Sequence, residues 1–149
     1  MSTRVDYIIA GLGLSGAAMA WQLMQLGRTI AVFDTPESNR SSYQAAGLFN
    51  PISGQKLTKA WMADELFPFL HSFYSDIEQE ASEEFFHPSN LYIPFRSVAE
   101  QNDWAGGDGK GDHIEKVFTS TKFGDQVYDE MRGLLLKSEG YLHVRRYLT

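Results

Sequence analysis

The spacing of apolar positions changes twice within the first thirty-four residues. Residues 5–10 form a short apolar run carrying Val5, Tyr7, Ile8 and Ile9, which predicts a buried strand. From 17 to 26 the apolar residues Ala17, Ala18, Ala20, Trp21, Leu23, Met24 and Leu26 surround a helix almost entirely, and Gly27 is a natural stop. Residues 29–33 return to a strand that ends at Asp34. Two strands joined by a helix of this length require a parallel crossover, hence an α/β architecture.

Further along, residues 36–42 are polar and turn-rich, and residues 45–51 form a small-residue segment closing on Pro51. Between Trp61 and about Glu80, Met62, Leu66, Leu70, Phe73 and Ile77 recur at threes and fours, which predicts a helix with one packed face. Pro68 is expected to kink it or to divide it into two helices in tandem. Asp76, Glu78, Glu80, Glu83 and Glu84 read as a solvated acidic face. Residues 91–95 predict a strand, and Ser97 with Glu100 has capping-box spacing for a short helix through Trp104. Residues 106–111 read as a glycine-rich loop, and 114–118, 134–136 and 141–144 as weaker strands.

Composition narrows the function classes. A 149-residue chain that is 43% hydrophobic and 13% aromatic can bury a real core. Its net charge of -6 leaves no basic surplus to attract a phosphate backbone, so nucleic acid is not an expected partner. The absence of cysteine removes disulfides, thiolate nucleophiles and cysteine zinc sites, and it fits a cytoplasmic location. Arg4 followed by apolar residues up to Ala18, Met19 and Ala20 superficially resembles a signal peptide. Asp6 and three regularly spaced glycines count against that reading. No uninterrupted apolar stretch reaches membrane-spanning length.

Gly11, Leu12, Gly13, Leu14, Ser15 and Gly16 spell G-x-G-x-x-G between the first expected strand and the helix. Gly11 permits a tight turn out of the strand, Gly13 lets the backbone approach a pyrophosphate, and Gly16 lets helix and strand pack closely. The helix N-terminus then offers N–H donors to phosphate oxygens. Asp34 falls at the end of the second strand, where a carboxylate accepts from adenosine ribose hydroxyls and repels the 2′-phosphate of NADP. The fold expected is therefore a Rossmann-type βαβ unit that binds FAD or NAD. The competing reading is a tight α/β turn with no ligand.

Other motifs fail. A nucleophile elbow at Ser15 needs glycine where Ala17 stands. Gly109 and Lys110 are followed by Gly111, so there is no P-loop. Asp108, Lys110 and Asp112 start like a calcium loop, but His113 and Thr119 occupy its glycine and glutamate positions. His71, His87, His113 and His143 lack metal-ligand spacing and read as surface or packing residues.

The succession of strand, glycine motif, helix, strand and Asp34, then Ser41, Ser42 and the run Ala45, Ala46, Gly47, Leu48, Phe49, Asn50, Pro51, resembles the D-amino-acid oxidase/glycine oxidase family of FAD-dependent oxidoreductases. The resemblance implies FAD as cofactor. Gly11, Gly13, Leu14, Ser15, Gly16, Asp34, Ser42, Ala45, Ala46 and Gly47 would contact it, the small residues letting it lie against the backbone. It also implies a small amine or amino-acid-like substrate whose α-carbon gives a hydride to the flavin. The catalytic residues stay unknown, with Tyr92 and Arg96 as weak substrate-binding candidates.

Residues 1–60 correspond to the N-terminal part of the FAD-binding domain. Residues 61–149 correspond to a helical segment and the beginning of a substrate-side α+β region, in which Gly140, Tyr141 and Leu142 lead back toward the nucleotide domain. Members of the family are much longer. The chain is therefore expected to be the N-terminal portion of such an enzyme, pairing with a C-terminal half. An NAD-dependent dehydrogenase and a non-catalytic nucleotide-binding module remain alternatives on the residues alone.

Overall fold

The structure is a computed structural model that describes residues 4–35, 41–53, 58–105, 114–118 and 130–149. In chain order the elements begin with β1 (Tyr7–Ala10), α1 (Leu14–Gln25), β2 (Ile30–Phe33) and the single-turn α2 (Ser41–Gln44). Three short strands follow, β3 (Leu48–Phe49), β4 (Ile52–Ser53) and β5 (Thr58–Lys59), and then the long helix α3 (Ala63–Ala81). The remainder is β6 (Phe86–Pro94), α4 (Val98–Ala105), β7 (Ile114–Phe118), β8 (Gly133–Leu142) and α5 (Val144–Tyr147). One compact unit comprises Met1–Gly47, Glu83–Phe85 and Leu142–Thr149; the other comprises Leu48–Ser82 and Phe86–Tyr141.

In the first unit β1 and β2 pair in parallel, from Tyr7 opposite Ile30 to Ala10 opposite Phe33, with α1 as the crossover. At the entry end the Asp6 carboxylate accepts hydrogen bonds from the Thr29 N–H at 2.8 Å and the Thr29 hydroxyl at 2.7 Å. Those bonds hold the Asp6 carboxyl below its usual range. Helix α1 begins three residues before the expected Ala17, because Ala17 N–H already bonds to the Gly13 carbonyl at 2.9 Å. It ends in a Schellman motif: Arg28 N–H reaches the Leu23 carbonyl and Gly27 N–H the Met24 carbonyl, both at 2.9 Å.

The run at residues 5–10 predicts a buried strand, and the structure corrects this: of β1 only Ile9 is buried. Only Ala20 of α1 is buried, while Met19 and Met24 are exposed. On the strands, Ile8 is 68% and Phe33 63% exposed. The physical reason is the width of the sheet: among the described residues β1 and β2 form a two-stranded pair, which covers one side of one helix.

In the second unit the sheet order is β3-β8-β6, with β7 antiparallel to β8. The two strands expected at 134–136 and 141–144 are one, β8, which ends at Leu142 and hands over to α5 at Val144. β8 pairs with β7 over Gly133–Leu136 and with β3 at Gly140 and Tyr141, and the strand continues through 137–139 with β6 as its other neighbour. The core gathers Ile52, Phe95, Trp104, Leu134 and Leu136.

Helix α3 runs unbroken through Pro68. Pro68 is the sixth residue of the helix, so its missing N–H removes a single rung near the start, and the packed face beyond it outweighs that loss. That face ends in an aromatic cluster, with Tyr74 and Phe49 stacked on Phe86 at 5.2 and 5.0 Å. Glu78 departs from the expected solvated face, since its carboxylate accepts the Phe86 N–H at 2.7 Å.

The capping box at α4 forms with a shift of one residue. Ser97 Oγ accepts from Glu100 N–H at 3.1 Å, and the Glu100 carboxylate accepts from Arg96 N–H at 2.7 Å. Ser97→Ala is expected to destabilise the chain by about 1 kcal/mol, read as a lower urea midpoint at unchanged slope. An unaltered midpoint would show that the cap contributes nothing.

The expectations at 36–40, at the 106–111 loop, at the calcium-like residues and at His113 lie outside the described residues. Among the described residues no helix is long and apolar enough to cross a membrane.

Candidate nucleotide-binding site

The strand-to-helix turn of the first unit sits at the carboxyl ends of β1 and β2. Gly11 adopts φ +94°, a left-handed conformation that turns the chain out of β1, and its N–H bonds to the Phe33 carbonyl at 2.7 Å. That bond fixes the turn beside Asp34, the exposed residue that follows β2. Gly16 is where helix and turn meet. A Cβ built on it would lie 1.9 Å from the Gly11 carbonyl oxygen, so the turn tolerates no side chain there.

Helix α1 opens with Leu14, Ser15 and Gly16, whose N–H groups precede the first rung of its hydrogen-bond ladder. No acidic residue stands in its first turn, so the positive end of the helix dipole is not neutralised from within. Ser42, on α2, reaches this end: its Oγ accepts from Leu14 N–H at 3.3 Å. The same Oγ lies 2.9 Å from where a Gly13 Cβ would stand.

Ala45, Ala46 and Gly47 follow α2 in the same unit, both alanines exposed. Gly47, at φ +72°, passes so close to the chain leading into α5 that a Cβ would lie 2.0 Å from the Leu142 carbonyl oxygen. Its own carbonyl accepts from Leu142 N–H at 2.9 Å. Arg145 adds a second tie, donating from Nε to the Tyr43 carbonyl at 3.4 Å. The sequence offers the return of 140–142 but not these anchoring residues, because nothing in a local pattern pairs positions about a hundred residues apart.

All ten residues singled out as cofactor contacts therefore lie in the first unit. The structure joins Gly11, Gly13, Leu14, Gly16 and Ser42 by the contacts above, with Asp34 beside the turn. The two weak substrate candidates lie in the second unit. Arg96 is exposed beside a 450 Å³ cavity lined also by Ile93, Phe95, Glu130 and Met131, and Tyr92 is absent from its walls. Tyr92 instead lies against Gly133. His71 and His87 pack on aromatic rings, His71 edge-on to Phe86 at 5.2 Å and His87 on Tyr141 at 4.6 Å.

No known protein-family model matches the chain. Among solved structures it is similar to glycine oxidase from Bacillus cereus ATCC 14579, at 17% sequence identity and a TM-score of 0.67. The likeness covers 97% of this chain and 43% of that one, so the chain spans less than half of the solved protein it matches. At that identity the likeness is one of fold: a mixed α/β chain laid out like part of a glycine oxidase.

Proposed function

We propose that the first unit holds the ADP half of FAD and that the chain is part of an FAD-dependent oxidoreductase acting on a small amine or amino acid. One observation carries the reading. The Gly11 turn, the start of α1 and Asp34 converge at one end of a parallel strand pair, and Ser42 bonds to the first N–H of the helix. Gly16 leaves no room for a Cβ, as a turn drawn tightly onto its helix requires. The fold shared with a glycine oxidase favours FAD over NAD.

In this reading the N–H groups of Ser15 and Gly16 receive the pyrophosphate, and Gly11 and Gly13 leave it room to approach the backbone. Asp34 accepts from the ribose hydroxyls. Ala45, Ala46 and Gly47 present short side chains to the cofactor's extended body. Bound FAD would supply the hydride acceptor for oxidation of a C–N bond. No side chain of this chain is assigned to proton transfer. The exposed apolar residues of β1, β2 and α1 are read as the surface on which a C-terminal half adds its strands.

The test is a titration of the 149-residue chain with FAD, followed by flavin fluorescence, with ADP and NADH as competitors. Weak FAD binding is expected, displaced by ADP, with FAD preferred to NADH and no turnover of any amine. Asp34→Ala should weaken FAD binding about tenfold, the loss of a charge-assisted hydrogen bond. Tighter binding of NADH than of FAD contradicts the flavin reading. Amine turnover with stoichiometric FAD contradicts the need for a second half.

A further inference from the structure

Charged groups meet apolar surroundings at two places in the second unit. Glu139, on β8, is closed off: it is 1% exposed, and burial pushes its carboxyl up to about 7, the N–H groups of Glu139 and Leu91 lowering it by less. Arg96 and Glu130 are the open case. Both are exposed, and both line a cavity of about 450 Å³. That volume falls within the range of small-molecule sites, roughly 300–1,000 Å³.

The backbone brings the two charges to one place. Phe95 N–H donates to the Arg132 carbonyl at 2.7 Å, joining the end of β6 to the chain that leads into β8. Arg96 stands one residue beyond that bond and Glu130 two residues before it. Arg96 is anchored by its backbone N–H, which donates to the Glu100 carboxylate at 2.7 Å, so the anchor does not use the guanidinium. Among the described residues neither Arg96 nor Glu130 forms an ion pair. The other walls are Ile93, Pro94, Phe95 and Met131. Phe95 belongs to the buried core and Ile93 and Met131 pack against it, so the apolar wall is backed by fixed side chains.

A lone cation in this cavity would face Arg96, and a lone anion would face Glu130. A neutral apolar molecule would leave both charges unanswered. A dipolar molecule with an apolar arm satisfies all three features, and an α-amino acid carries ammonium, carboxylate and side chain on one carbon. We propose that this cavity binds an α-amino acid with an apolar side chain, its carboxylate on the Arg96 guanidinium, its ammonium on the Glu130 carboxylate and its side chain against Ile93 and Met131. The paired N–H groups of a guanidinium match the two oxygens of a carboxylate. The site lies wholly in the second unit and holds whether or not the first unit takes a flavin.

The probe is leucine, in both hands, titrated into the full chain without FAD and followed by NMR of the Met131 and Ile93 methyl groups. Isocaproate keeps its carboxylate and carbon arm, isoamylamine keeps its ammonium and arm, and glycine keeps both charges without the arm. One hand of leucine should bind at roughly millimolar concentration, about fivefold or more tighter than each of the three. Arg96→Gln should bring leucine level with isoamylamine, and Glu130→Gln should bring it level with isocaproate, each leaving the other preference in place. Both side chains are exposed, so neither change removes a packed group. Leucine binding no tighter than the singly charged analogues, no binding of leucine, shifts that spare Met131 and Ile93, or variants that keep both preferences overturn the proposal. Because FAD is left out, none of these outcomes bears on the flavin reading, and a failed FAD titration leaves leucine binding as expected.

Discussion

Gly16→Ala is expected to destabilise the first unit by about 3 kcal/mol or more and to abolish nucleotide binding. The new Cβ would stand 1.9 Å from the Gly11 carbonyl oxygen, well inside van der Waals contact. Neither side can yield cheaply. The turn is bonded to β2 through Gly11 N–H, and the first rung of α1 bonds to Gly13, between turn and helix. Relief therefore requires sliding α1 away from the turn, which scatters the N–H groups at its start. Gly13→Ala is the matched control. Its Cβ would meet a side-chain hydroxyl, Ser42 Oγ, that can rotate away at the cost of one hydrogen bond to Leu14, about 1 kcal/mol. Urea unfolding of the two variants should separate them clearly, and equal midpoints would contradict the close approach at Gly16.

Glu139 sets the second large effect, on the pH dependence of stability. Its carboxyl titrates near 7 in the folded chain and near 4.5 when solvated. Because the folded value is the higher, its contribution to stability is full below 4.5 and is lost as the pH rises through 7. The whole shift corresponds to about 3 kcal/mol, and discounting it for solvent screening leaves about 1–2 kcal/mol. Glu139→Gln should remove this loss. Its denaturation midpoint should be flatter than that of the wild type between pH 5 and 8, and the two should differ most at the alkaline end. Parallel profiles for the two proteins would mean that Glu139 is not buried in the charged state.

How far the sequence reveals the fold depends on whether the controlling interaction is local. The β1, α1 and β2 unit is legible because glycine spacing, helix stop and terminal acid all lie within thirty residues, each with a local cause. The cap at α4 is legible for the same reason, and the structure moves only its second bond, from Ser97 to Arg96. Helix α3 is legible in Phe73 and Ile77, which are buried, but not in Met62 and Leu66, which are exposed; Pro68 also misleads, because a proline early in a long helix removes one rung without ending it.

Long-range pairing is what the pattern cannot show. Lys137, Ser138, Glu139 and Gly140 fall in the gap between two expected strands, yet they lie within β8, which pairs with β7 before them and with β3 from Gly140 onward. Glu139 is hidden by the same effect: a glutamate in a polar stretch reads as solvated until neighbouring strands enclose it. Within the candidate site, the glycines and Asp34 are legible from spacing, whereas the link from Ser42 to Leu14 emerges only in three dimensions. The exposed apolar surface of α1 is the converse case. Its sequence pattern asks for cover that two strands do not give.

The central claim is that the turn at Gly11 and the start of α1 receive a dinucleotide. Amide NMR of the 149-residue chain titrated with FAD tests it most directly. The expected result is that the largest shifts fall on the N–H groups of Gly11, Gly13, Leu14, Ser15 and Gly16, with smaller ones at Asp34, Ser42 and residues 45–47. Saturable shifts confined to other residues, or none at millimolar FAD, would contradict it.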